Sequence, residues 1–144
     1  MAFGRKTAGS SEYTRARDRA DREMSKFIRL RDSDASGYGR CISCGKLVHW
    51  TKAHNGHFIN RGHLNTRFDE QNCNLQCFEC NCEKYGNEEG YKKGLIEKYG
   101  EDVVNNLYTK KHLFRKYSVF ELKAIADDYK KRFSELKKIK KWKK

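Results

Sequence analysis

The sequence predicts an α+β domain, mainly α-helical, in which long helices flank a small irregular core. Three observations point there. The 144 residues contain no proline and 35% of them are charged, so amphipathic helices with solvated outer faces can run uninterrupted. Apolar residues recur at three- and four-residue spacing in both flanks. Between the flanks, from residue 40 to residue 86, that periodicity vanishes and all six cysteines fall together. A chain of this length fits one domain, 1–144. It divides into a basic N-terminal helix within 1–36, a core over 40–86, a helical part over 87–136 and a basic tail over 137–144.

The first helix is capped by Ser10 or Ser11 and carries an apolar stripe of Tyr13, Ala16, Ala20, Met24, Phe27 and Leu30. The polar, glycine-containing run Asp32–Gly39 ends it. After the core, Asn87-Glu88-Glu89 opens a helix bearing Tyr91, Leu95, Ile96 and Tyr99, which Gly100 closes. Glu101-Asp102 starts a shorter helix with Val103, Val104 and Leu107. Ser118 and Glu121 form a capping box for the last helix, Tyr117 and Leu122 its hydrophobic staple, and Ile125, Tyr129, Phe133 and Leu136 extend the stripe. The lysine-rich run 137–144 is expected to fray.

The formal net charge is +13, a field that attracts a polyanion, and nucleic acid is the expected partner. A membrane partner is not expected, because no helix face rich in Trp and Leu accompanies the charge and no apolar run is long enough to span a bilayer. The start, Met1 to Lys6, lacks the apolar core of a signal peptide, which places the protein in the cytoplasm. Cysteines there serve metals more than disulfides. Cys41-x2-Cys44 and Cys77-x2-Cys80 are two knuckles that together make a tetrahedral thiolate site for structural Zn2+. Cys82 is an alternative to Cys80, and Cys73 and Cys82 otherwise read as buried free cysteines.

Between and around the knuckles lie Gly56-His57-Phe58, Arg67-Phe68-Asp69-Glu70, Asn72-Cys73-Asn74 and Gln76-Cys77, with Asn81 directly after Cys80. This order resembles the HNH, or ββα-metal, endonucleases. Together with Cys-Ile-Ser-Cys-Gly at 41–45 and a helix ending in Tyr-Gly at 99–100, it looks more specifically like the Rap/NinG recombination proteins of lambdoid phages, over roughly residues 15–135. The resemblance implies a zinc-stapled, treble-clef-like ββα core and hydrolysis of branched DNA such as Holliday junctions and D-loops, in the host cytoplasm. It also implies a recombinase partner, and symmetric cutting of a junction would call for a homodimer.

Carried over residue by residue, His57 matches the general base, since a neutral imidazole can take a proton from water near pH 7. Asn74 matches the central asparagine that orients the base or its loop, with Asn72 the other candidate. Asn81 matches a ligand of the catalytic Mg2+ or Mn2+. The family pattern has Asp directly before the base, where this chain has Gly56. A second ligand must then come from elsewhere: His54 first, with His63, Asp69 or Glu70 behind it, and imidazole would favour Mn2+. Arg40, Arg61 and Arg67 are candidate phosphate clamps. The rival reading is a zinc-stabilised DNA- or RNA-binding adaptor in which these His and Asn residues are structural.

Overall fold

In the computed structural model, which describes residues 11–142, the chain is a mostly helical α+β protein with two small sheets. Helix α1 (Glu12–Arg31) begins at Ser11, whose hydroxyl accepts from the Thr14 N–H at 3.0 Å; Ser10 lies outside the described residues. Its apolar stripe is buried as the spacing predicts, with Ile28 added to it and Tyr13 only half-buried. The last helix, α5 (Val119–Trp142), packs along α1. The capping box is present at its start: Glu121 accepts from the Ser118 N–H at 2.9 Å and Ser118 from the Glu121 N–H at 3.0 Å. Tyr117 and Leu122 share one apolar cluster with Ala16. The helix continues past Leu136 to Trp142, and Lys140 donates to the Ser33 carbonyl near the end of α1.

Two antiparallel hairpins fill the space beside these helices. Strands β1 (Tyr38–Arg40) and β2 (Leu47–His49) pair around the first knuckle, Gly39 opposite Val48. Strands β3 (His54–His57) and β4 (Cys73–Gln76) pair with Gly56 opposite Asn74 and His57 opposite Cys73. The loop between β3 and β4 contains the short helix α2 (Leu64–Arg67). A π-helical turn, Glu79–Glu83, follows β4. Helix α3 (Glu88–Tyr99) is capped by the Asn87 side chain and stopped at Gly100, whose φ of +100° suits glycine. Helix α4 (Asp102–Lys111) folds back on it. Tyr91, Leu95, Val103, Val104 and Leu107 close around Ile59, so this helical pair anchors the loop that leaves β3.

Candidate functional site

The four knuckle sulfurs, of Cys41, Cys44, Cys77 and Cys80, all lie within 4.8 Å of one another. Each knuckle turns its backbone towards sulfur: Ser43 N–H donates to Cys41 Sγ and Cys80 N–H to Cys77 Sγ, both at 3.4 Å. Asn87 adds a side-chain donor to Cys80 Sγ at 3.2 Å. Burial pushes the Cys77 thiol up to about 12, the charge of Cys41 adding to it against the pull of the Cys80 N–H. Thiolates this close repel unless a cation sits among them, and the four together can hold a zinc ion. Cys82 is not in the cluster and is exposed rather than buried, while Cys73 is buried in the α1–α5 core as expected.

One face of α1 and the β3–β4 hairpin enclose a polar cleft of about 820 Å³, enough for a phosphodiester with its flanking sugars. Arg17, Asp21, Ser25 and Arg29 line it from α1, four residues apart along one stripe, and His54, Asn55 and His57 from β3. Arg61 and Asn81 complete its rim. The cleft therefore gathers His57, His54, Asn81, Arg61 and Arg67 from the sequence-based candidates.

His57 is held by one hydrogen bond, from Nε2 to the Arg67 carbonyl at 3.0 Å. A carbonyl only accepts, so Nε2 carries the proton and Nδ1 is left as the basic nitrogen. Burial pushes the imidazole down to about 4, with the Arg67 carbonyl opposing and Arg61 adding to the shift, so the ring is neutral at pH 7. His54 and Asn81 touch across the cleft, Asn81 Nδ2 to His54 Nδ1 at 3.0 Å. Half a turn of that amide puts its oxygen beside the same imidazole nitrogen. Asn55, between the two histidines in sequence, has a buried Oδ1 that finds no hydrogen-bond partner among the described residues, and the Nε of Arg17 likewise finds none. Asn55, Arg17 and Arg29 are site residues that the motifs did not single out. Only the four-residue polar spacing on α1 signalled the last two.

Several expectations need correction. Asn74 does not orient His57: its amide donates to the Gln71 carbonyl and Tyr91 hydroxyl and accepts from Arg31 and Lys98. The loop-holding role falls to Asn72, fully buried, which accepts from Ile59 N–H at 2.7 Å and donates to the carbonyls of Ile59 and Thr66. Arg67 lines the cleft but is buried, its guanidinium clasped by Asp21 at 3.0 and 2.5 Å. Its role is to fix the carbonyl that holds His57. Arg40 lies off the cleft, on β1, donating to the Gly45 carbonyl. Asp69 is taken by Lys110 and the Gln71 N–H, and Glu70 by Tyr129 and Arg132. His63 stands at the N-cap position of α2 without a capping side-chain hydrogen bond and lines a neighbouring groove. The glycine at 56 also has a cause: a Cβ there would stand 2.1 Å from Gln76 Oε1, and Gln76 is itself fixed by donating to Ser43 and the Gly86 carbonyl. An aspartate cannot be seated without displacing it.

The family model described as "Bacteriophage Lambda NinG protein" matches residues 5–140. The chain belongs to the NinG family. It is 32% identical over 120 residues to protein ninG of Escherichia phage lambda, covering 82% of this chain and 55% of that one. With protein ninG of Salmonella phage P22 the identity is 33%, over 82% of this chain and 56% of the relative. The chain thus spans about half the length of these NinG relatives. No solved structure gives a significant match. Among the described residues of this NinG protein no helix is long and apolar enough to cross a membrane.

Proposed function

We propose that this NinG-family chain is a metal-dependent, structure-specific DNA endonuclease of the HNH kind, acting on branched recombination intermediates. The observation that carries the reading is His57, a neutral imidazole whose Nε2–H is committed to the Arg67 carbonyl and whose Nδ1 is free to accept, in a cleft lined with arginine. In this reading Nδ1 takes a proton from water as the water oxygen bonds to phosphorus. The bond from phosphorus to the 3′ oxygen then breaks and that oxygen takes a proton from solvent, leaving a 5′ phosphate and a 3′ hydroxyl. A phosphate's negative charge beside the ring raises its affinity for that proton. Arg61, 57% exposed and held only by a 3.5 Å contact to Asp21, is free to meet a phosphate oxygen, with Arg17 and Arg29 behind it.

The antiparallel β3–β4 pair followed by the turn bearing Asn81 agrees with the ββα arrangement that the resemblance implies. His54 Nδ1 and the Asn81 amide oxygen are the donors for Mg2+ or Mn2+, and Asn55 lines the same cleft. No carboxylate stands at position 56, so the set is neutral and its imidazole favours Mn2+. When bound, such an ion would offset charge developing on the phosphate and the leaving oxygen.

The test is incubation of zinc-loaded protein with plasmid, linear duplex and synthetic four-way junctions, in Mg2+, Mn2+ or Ca2+. Junction cleavage in Mg2+ or Mn2+ is expected. Binding in every ion with no cleavage in any would assign the chain to the adaptor class.

A further inference from the structure

We propose that Tyr85 is a stacking wedge for an unpaired nucleobase, and that it makes the protein prefer DNA opened at a branch over continuous duplex. The inference rests on the DNA-binding part of the reading above and does not need cleavage. Tyr85 is 94% exposed, and among the described residues no ring stacks on it and no group hydrogen-bonds its hydroxyl. Its φ is +50°, followed by +95° at Gly86 and +41° at Asn87. A bulky residue seldom adopts that conformation, which has to be enforced by what surrounds it.

The enforcement is visible. Lys84 N–H donates to the Glu79 carbonyl, Gly86 N–H to that of Cys80 and Asn87 N–H to that of Lys84, each at 2.8 Å. Gln76 donates to the Gly86 carbonyl at 2.7 Å and Asn87 to Cys80 Sγ at 3.2 Å. The turn is thereby pinned to β4 and to the cysteine cluster, so the exposed ring stands on a rigid base.

Its position gives it a use. Tyr85, with His57, Asn60 and Gly86, lines two adjoining grooves: the cleft with Arg17, Arg29 and Arg61, and a second groove towards Lys111 and Tyr108. The ring stands between the arginine-lined cleft and a second groove that carries Lys111 and Glu88, and the two meet at His57. A strand with its phosphate at His57 would bring a neighbouring base onto the ring. In continuous duplex both faces of every base are already stacked, whereas a base at a branch point offers a free face to an aromatic side chain.

The experiment uses full-length, zinc-loaded protein in Ca2+. Binding is measured to a four-way junction carrying 2-aminopurine at the branch, to a flap, and to a duplex of equal length. The parent is compared with Tyr85→Phe, which keeps the ring, and Tyr85→Asn, which tolerates the positive φ without one. Tyr85→Phe should match the parent. Tyr85→Asn should lose about 10- to 100-fold in junction binding, lose the quenching of 2-aminopurine, and bind duplex nearly as the parent does. An unchanged junction-to-duplex ratio with unchanged quenching in Tyr85→Asn would overturn the wedge while leaving DNA binding intact. A parent that binds none of the three DNAs would overturn both readings.

Discussion

Replacing His57 by alanine should change the sign of its effect on stability between neutral and acidic pH. Burial holds the imidazole at about 4 against an ordinary 6.5. The unfolded chain therefore binds the proton more readily than the folded one. The neutral ring's contribution is complete above pH 6.5 and is lost as pH falls towards 4. At roughly 1.4 kcal/mol per pH unit, the loss amounts to about 3 kcal/mol. At pH 7.5 the variant forfeits the Nε2–H bond to the Arg67 carbonyl and leaves that acceptor unpaired, a cost of about 1–3 kcal/mol. The two terms oppose each other, so His57→Ala should be less stable than the parent at pH 7.5 and as stable or more so at pH 4. Urea denaturation followed by circular dichroism, with both proteins in steps from pH 7.5 downwards for as long as zinc stays bound, measures this as a stability gap that narrows by about 1.4 kcal/mol per unit below pH 6.5. Parallel pH dependence in the two proteins would refute the burial argument. In the same variant, single-turnover cleavage at pH 7.5 should drop on the order of 10²- to 10⁴-fold with junction affinity in Ca2+ retained.

Elemental analysis should find one zinc per chain, and Cys80→Ser should lose both metal and cooperative unfolding, since the cluster joins two hairpins with little apolar core of their own. Gly56→Asp should destabilise by about 1–3 kcal/mol in chemical denaturation, because the new Cβ would stand 2.1 Å from Gln76 Oε1; an unchanged midpoint would show that Gln76 yields freely. Removal of residues 137–144 should flatten the dependence of DNA affinity on salt by about 0.9 in log–log slope for each phosphate that the tail no longer neutralises. It should also lower stability slightly, because Lys140 would no longer tie α5 to the Ser33 carbonyl; an identical salt slope would remove the tail from the DNA-binding surface.

What the sequence made legible was local chemistry. A cap is written within four residues, which is why Asn87, Gly100 and the Ser118–Glu121 pair could be placed without a structure, and the first cap narrowed to Ser10 or Ser11. Two Cys-x2-Cys knuckles likewise define their own sulfur geometry. Roles that depend on a distant partner were not legible. Arg67 reads as a phosphate clamp until Asp21, 46 residues away, is seen to hold it. Asn72 and Asn74 are both fully buried and lie two residues apart, so neither burial nor strand parity separates them. They differ in their partners: the backbone of Ile59 and Thr66 for Asn72, and the Gln71 carbonyl with the side chains of Tyr91, Arg31 and Lys98 for Asn74. The α1 stripe of Arg17, Asp21, Ser25 and Arg29 is visible as a period, but nothing local says that a hairpin faces it.

These distant contacts divide the cleft into two independently held halves. Asn81 follows Cys80 on the π-helical turn, and Gln76 ties β4, where it pairs with His54, to the first knuckle through Ser43. The proposed metal ligands are thus positioned by the cysteine cluster. His57 takes its orientation from the Arg67 carbonyl, which depends on the Asp21 ion pair to α1 and on Asn72 stitching the loop. The Tyr91 hydroxyl links the halves, donating to the Gly56 carbonyl at 2.7 Å while lying 3.2 Å from the Asn72 carbonyl. Loss of zinc should therefore loosen the ion-binding side before the base, and loss of Asp21 the base before the ion-binding side. A defect at either end can reach the other through that buried hydroxyl, through the β3–β4 pairing and along β3 itself, which carries both His54 and His57.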